Sequence, residues 1–346
     1  MRYASLALGL ILSLVAPLAA QEIEDYRMFP GTGPQVLRIV STTDLDVFEP
    51  YIRAFQSERP EIGVDYLVMS SSVLHRAIEQ GTQADLVISS AMDLQFQLVN
   101  DGFARSYRSE MTDALPDWAR WRDQIYAFTT EPAVVVVNTA RFAGLDLPTT
   151  RQDLIASLRG NPDRFNDSIG TYDLRESGLG YLFATQEDRS TDAFWRLNEV
   201  MGRLGTQLYC CSSQMIDDVA SGRLALAYNV LGSYAAEEVA RGSGGQVQVL
   251  RMEDFANVML RTAFIPVNAQ ELTAAGAMLD MLIRLALRDQ AGEWPLPPLS
   301  QTVEDPALGF GPIRLGPGLL TYLDPLNRRA FLAEWENAME QNRVPR

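Results

Sequence analysis

The chain has 346 residues, 47% of them hydrophobic, with 44 Asp plus Glu against 29 Lys plus Arg and a net charge of −15. That balance excludes a general binder of nucleic acid or anionic lipid, since such a surface repels polyanions, and the ordinary hydrophobic fraction excludes a disordered chain. The length exceeds what one core usually supports, so two domains or lobes are expected.

Met1-Arg2-Tyr3 open the chain, and Ala4 to Leu18 follow as a largely apolar run without charge, ending in Ala19-Ala20 before the acidic Glu22, Glu24 and Asp25. This is the layout of a secretory signal peptide over residues 1–20, with export to the periplasm as its consequence. A membrane anchor is the alternative, but the run is shorter than the ~20 apolar residues of a spanning helix and lacks a basic flank beyond it. Cleavage after Ala20 leaves the large Leu18 at a position that prefers a small residue, so the mature start can slip by a few residues. Arg2 is the only charge removed, and the mature chain carries −16. An anionic ligand then has to be held by local donors, against the overall field.

Along the mature chain, buried strand patterns alternate with helical ones. Leu37–Ser41 reads as a strand. Phe48, Tyr51, Ile52 and Phe55 recur at helical spacing until Pro60. A strand over Ile62–Met69, a helix over Ser72–Gln80 and a strand over Leu86–Ser89 complete a βαβαβ series, which implies a mostly parallel sheet flanked by helices. After the apolar run Ala133–Val137, a second series begins: helix Arg151–Leu158, strand Ser168–Tyr172, and helices Gly178–Gln186, Thr191–Met201 and Ser213–Ser221. Strand Leu224–Tyr228, helix Leu231–Arg241 and strand Val247–Leu250 follow it. Val258–Val267 returns as a strand, Glu271–Leu287 is a long helix, Trp294–Pro298 and Gly309–Gly318 are loops, and Asn327–Asn342 closes the chain as a helix. Two crossings, near Asn138 and near Arg261, make a hinge of paired strands. The expected lobes are 21–137 plus 262–346, and 138–261.

In such sheets ligands sit beyond the carboxyl ends of the strands. Ser41-Thr42-Thr43 follow one strand and precede a helix, so hydroxyls and backbone N–H groups cluster at the positive end of its dipole as an anion cradle. Simple capping by Thr43 or Asp44 is the plainer alternative. Ser89-Ser90 repeat the arrangement, with Ser90 equally readable as a cap. In the second lobe, Ser177-Gly178 open a helix where a ligand can approach bare amides, with a flexible turn capped by Ser177 as the alternative, and Tyr228-Asn229 end a strand with a phenol and an amide facing the cleft. Glu131, at the lobe crossing, and Asp44 each either accept bonds from ligand hydroxyls or anchor the hinge. Carboxylates and anion cradles in one cleft suit a hydroxylated, phosphorylated or carboxylated metabolite.

The stretches Ile39 to Asp44 ("IVSTTD"), Ala84 to Asp93 ("ADLVISSAMD") and Tyr126 to Asn138 ("YAFTTEPAVVVVN") resemble the extracellular solute-binding proteins of ABC importers. The branch is the one that mixes ferric-iron-type, hexose-phosphate and phosphoglycerate regulatory members. The resemblance follows the order of elements over nearly the whole mature chain and says little about the ligand. It implies a two-lobed α/β periplasmic-binding-protein fold, a monomer that closes on its ligand, and no cofactor. It also implies a membrane partner, either an ABC permease or, as in the regulatory members, a histidine kinase.

Iron binding is the branch's other use. Ferric-binding relatives commonly present two adjacent tyrosines, and the comparable stretch here reads Leu208-Tyr209-Cys210-Cys211. His75 is the only histidine, so no nitrogen-rich metal site is expected. Cys210 and Cys211 are read as two half-buried thiols, with a disulfide between neighbours as the alternative. An enzyme is not indicated: no G-x-S-x-G elbow occurs, and no pair of carboxylates is singled out by spacing.

Overall fold

The structure, a computed structural model, describes residues 23–242, 245–254, 256–288, 294–299 and 312–341. The expected signal peptide lies outside them, as do the start of the 309–318 loop and residue 342 of the closing helix.

The first half contains β1 (Asp25–Phe29), β2 (Val36–Ser41), α1 (Leu45–Glu58), β3 (Gly63–Val68), α2 (Ser71–Glu79), β4 (Leu86–Ser89), α3 (Met92–Asn100), α4 (Glu110–Ala114), β5 (Arg120–Trp121) and β6 (Ile125–Asn138). The second contains α5 (Arg151–Gly160), α6 (Pro162–Phe165), β7 (Ile169–Tyr172), α7 (Gly178–Ser190), α8 (Ala193–Arg203), β8 (Gln207–Tyr209), α9 (Ser212–Ala220), β9 (Leu226–Leu231), α10 (Gly232–Ala240) and β10 (Val247–Leu250). Then come β11 (Val258–Phe264), α11 (Leu272–Ala286) and α12 (Pro325–Met339).

The strands run in the order β1-β3-β2-β4-β11-β6-β9-β7-β8. Each half has the expected parallel core, β3-β2-β4 and β9-β7-β8, because helical crossovers return each strand in the same direction. The strands that join the halves are antiparallel, β4 to β11, β11 to β6 and β6 to β9. The result is a two-lobed, mixed α/β sheet whose lobes share a hinge of crossing strands, and it is less parallel than the helical alternation suggests.

The hinge follows from one long strand. Along β6, Tyr126 to Pro132 pair with β11, whereas Ala133 to Val137 pair with β9. Partners change at Pro132, which has no N–H to contribute to a ladder. The chain returns between β10 and β11.

Periodic burial fastens the helices. On α1, Leu45, Val47, Phe48, Tyr51, Ile52 and Phe55 are all buried, one face of a helix turned to the sheet. All residues of β3, β4, β9 and β11 are buried, as expected of strands covered on both faces. The closing helix α12 docks on α8 of the second half: Phe331 meets Tyr181 edge-on at 5.6 Å and stacks on Phe194 at 5.9 Å. That approach needs Gly202, since a side chain there would lie 2.1 Å from the Ala338 carbonyl. Among the described residues no helix is long and apolar enough to cross a membrane.

Candidate functional site

The carboxyl ends of the parallel strands from both halves converge on one cavity between the lobes. Its lining includes Thr42 after β2, Met69 and Ser70 after β3, Ser90 after β4, Tyr172 at the end of β7, Cys210 and Cys211 after β8, and Leu231 at the end of β9. The same positions begin helices. Ser70 caps α2 by accepting from Val73 N–H, and Ser177 caps α7 by accepting from Gly180 N–H at 3.2 Å. Asp44, Ala91, Cys211 and Leu231 start α1, α3, α9 and α10 without a side-chain cap. Positive helix ends thus gather around a cavity that, among the described residues, no arginine lines.

Hydroxyls supply most of the polar lining. Thr42 Oγ1 accepts from Ser90 N–H at 3.0 Å and lies 3.3 Å from Ser90 Oγ. Across the cavity, the Tyr172 hydroxyl shares a hydrogen bond with Ser212, which also accepts from Leu231 N–H at 3.1 Å. Two carboxylates, Glu24 and Asp44, complete the set. Burial raises the Asp44 pKa, partly offset by a hydrogen bond from Ser213 and by the positive charge of Arg261. Burial likewise raises the phenols of Tyr172 and Tyr234.

The lobes touch around this cavity. Ser72 Oγ donates to the Glu176 carbonyl at 2.7 Å, Gly178 N–H to Ser71 Oγ at 2.8 Å, and Asp44 N–H to the Tyr234 hydroxyl at 3.2 Å. The enclosed space is about 50 Å³, far below the several hundred Å³ usual for metabolite sites. A metabolite therefore enters only when the lobes part.

Of the residues expected at the site, Thr42, Asp44, Ser90 and Ser177 line the cavity together. Gly178 sits at its rim as a lobe contact. The others are committed elsewhere. Ser41 Oγ accepts from Thr43 N–H at 2.9 Å, and Ser89 Oγ from Ala91 N–H at 3.1 Å, each closing a tight turn after its strand. Thr43 Oγ1 accepts from Arg261 Nη1 at 2.6 Å. Glu131 is fully buried, accepting from Arg261 Nε and Thr129 Oγ1 on one oxygen and from Ser233 on the other. It belongs to the hinge.

Tyr228 and Asn229 face the interior of the second lobe. The Tyr228 hydroxyl donates to Glu187 Oε1 at 2.8 Å and Asn229 Nδ2 to Glu187 Oε2 at 3.1 Å, while Arg151 Nε donates to the same carboxylate at 2.9 Å. The β6–β9 register shifts at this point, and Asn229 takes φ +62°, a left-handed conformation that asparagine tolerates.

Ser70, Ser71, Tyr172, Ser212 and Ser213 line the cavity without having been singled out as binding residues, and Tyr234 on α10 lines it with them. Ser70-Ser71-Ser72 carried the same signal as Ser41-Thr42-Thr43, three hydroxyls between a strand and a helix. Cys210 and Cys211 form a disulfide with each other, against the expectation of two thiols. Among the described residues, the one group of metal-type side chains is Glu24 with these two sulfurs, and sulfurs bonded to each other are not thiolates.

Residues 40–205 match the family model of bacterial extracellular solute-binding proteins. A substrate-binding protein of an ABC transporter from Agrobacterium tumefaciens is 30% identical, with a TM-score of 0.84 over 91% of this chain and 98% of the other. The periplasmic binding protein AfuA from Actinobacillus pleuropneumoniae, solved with fructose-6-phosphate, superimposes at 0.71 with 16% identity, covering 89% of this chain and 99% of its own. Iron-bound HitA from Pseudomonas aeruginosa does so at 0.64 with 14% identity, covering 88% and 99%. At those two identities the likeness speaks to fold alone. Among curated protein sequences none matches the chain.

Proposed function

The chain belongs to the extracellular solute-binding proteins that serve ABC transporters, and from that membership we propose that it captures a small hydroxylated organic anion in the periplasm by closing its two lobes. The observation that carries this reading is the convergence of strand ends and helix N-termini from both lobes on one hydroxyl-rich cavity. Helix ends and hydroxyls suit a phosphate or carboxylate. Asp44 and Glu24 suit the ligand's hydroxyls. The sugar phosphate held by AfuA belongs to the same chemical class.

Ferric iron is disfavoured by the same residues. Tyr209 donates its hydroxyl to Asp218 at 2.6 Å, outside the cavity lining, and the phenols that do line it are pushed away from ionisation by burial. In this reading residues 1–20 direct export. The first lobe holds residues 23–132 with β11, α11 and residues 312–324, and the second holds 133–242, 245–254 and 256–257 together with α12. The closed form is what an inner-membrane permease reads, and no substrate is turned over.

Replacing Asp44 with alanine is expected to weaken ligand binding about 10- to 100-fold, as loss of a charged hydrogen-bond partner does. Calorimetric titration with sugar phosphates, phosphoglycerates, carboxylic acids and ferric citrate measures it. One ferric ion bound per chain, with no organic anion bound, would sink the proposal.

Closure itself can be tested at Gly178. A side chain there would lie 2.6 Å from Leu94 Cδ1 and 2.9 Å from Ser71 Oγ, both on the opposite lobe. Gly178→Val is expected to hold the lobes apart, enlarging the radius of gyration in X-ray scattering and weakening ligand about tenfold or more, with little change in unliganded stability. Unchanged scattering and affinity would show that this contact does not gate closure.

A further inference from the structure

The disulfide between Cys210 and Cys211 lies in the wall of the ligand cavity, half buried, directly before the two serines that open α9. A pair of bonded sulfurs is polarizable and apolar and has no hydrogen to donate. Met69, Leu179 and Leu231 are the other apolar side chains of a lining otherwise made of hydroxyls and carboxylates. The sulfurs and the Glu24 carboxylate lie within 4.8 Å of one another. One short stretch of wall therefore joins a weakly hydrogen-bonding surface that favours a non-polar face to a strong hydrogen-bond acceptor.

We infer that the disulfide is a ligand-contacting element that selects a ring-bearing anion, whose C–H face rests on the sulfurs while a ring-edge hydroxyl donates to Glu24. This rests on the organic-anion reading above and narrows it. A small acyclic anion such as a phosphoglycerate carries polar groups all round, and pressing one of them against the disulfide leaves it without a partner. That weakens binding by about tenfold or more. A pyranose or furanose avoids the cost, because its hydroxyls leave at the rim and its C–H bonds face outward from the ring plane.

The inference also makes binding sensitive to reduction. A dithiol reductant opens the bridge by thiol–disulfide exchange: two electrons and two protons pass to Cys210 and Cys211, and the reductant leaves as its own disulfide. The two thiols then turn independently, and the flat apolar contact beside Ser212 and Ser213 is lost.

The test is calorimetric titration of the full mature chain with glucose 6-phosphate and glucuronate as ring-bearing probes, and 3-phosphoglycerate and citrate as acyclic ones. Each is run on oxidised protein, on protein reduced with dithiothreitol, and on Cys210→Ser/Cys211→Ser. A ring-bearing probe is expected to bind at least about tenfold more tightly than the acyclic ones, and to lose about tenfold or more once the bridge is opened. The unliganded thermal midpoint, measured alongside, separates this from unfolding, and the reduced wild type gives the readout should the double variant fail to fold. Tightest binding by an acyclic probe, equal affinity before and after reduction, or two free thiols titrated in the air-oxidised protein would overturn this inference and leave the organic-anion reading standing. Binding of ferric iron with none of the four anions would overturn both.

Discussion

Glu131→Ala is expected to lower folding stability by about 3–5 kcal/mol, read as a shift in the urea midpoint followed by tryptophan fluorescence. Glu131 and Arg261 are both fully buried, on the neighbouring strands β6 and β11, and Arg261 Nε donates to Glu131 Oε1 at 2.9 Å. Without the carboxylate, the guanidinium keeps its bond to Thr43 Oγ1 and stands as a charge in the low-dielectric interior. The pair as a whole is worth much less than its parts, since its mutual attraction does little more than offset the desolvation of both ions. Glu131→Ala combined with Arg261→Met should therefore recover most of the loss. A single variant within about 1 kcal/mol of the parent would show that the charge relaxes into solvent.

The same pair bears on function. Ser233, at the start of α10, donates to the other oxygen of Glu131. Strand β6 changes partners at the next residue, Pro132. The ion pair thus ties the hinge to a helix of the second lobe, and breaking it should also lower ligand affinity, because closure then has to order what the pair had already ordered.

The stability of the protein is expected to fall between pH 4 and pH 7 through Asp93, and Asp93→Asn is expected to remove that slope. Asp93 lies in the first turn of α3, is 3% exposed, and has an Oδ1 with no hydrogen-bond partner. Burial pushes its carboxyl up to about 7, against the opposing pull of backbone N–H groups and Arg328. The sign follows from proton counts. Between the unfolded value of about 3.9 and the folded value, the native state holds a proton that the unfolded state has released, so stability declines as pH rises. Below about pH 4 both states are protonated and above about pH 7 both are ionised, so the curve is flat at each end. Above pH 7 the asparagine variant should be the more stable by something on the order of 2–4 kcal/mol. Thermal midpoints measured from pH 4.5 to 8 decide it. Parallel curves for parent and variant would mean that Asp93 is ionised throughout.

Much of the fold was legible because its signals are local. Leu86–Ser89 and Val247–Leu250 are strands with the bounds read from sequence, since continuous apolar runs between turn residues fit few other structures. The short strands β1 and β8 were missed. β1 is an edge strand with four of its five residues exposed, and β8 has three residues, so neither shows a burial period. Missing β8 hid the rule that would have placed Cys210 to Ser213 at the cavity.

The site was half legible for a similar reason. Thr42, Ser90 and Ser177 could be found because hydroxyls between a strand and a helix mark a cleft edge. Tyr228 and Asn229 were assigned to that edge by ending their strand at Tyr228, but β9 runs on to Leu231 through the irregularity at Asn229. The side chains that reach the cavity are therefore Leu231 and Tyr234, a few residues further on.

By itself, the sequence determined the class of fold, two α/β lobes with hydroxyls at their strand ends, because hydrophobic period and helix-start chemistry are written in neighbouring residues. It also determined the net negative charge against which any anion must be held. Only the tertiary structure decided which hydroxyls share a cavity, that Glu131 answers Arg261 130 residues away, and that the cysteine pair is a wall of the cleft. Those depend on contacts between segments far apart in the chain, where a shift of one or two residues in a strand exchanges a side chain that faces the ligand for one that faces the core.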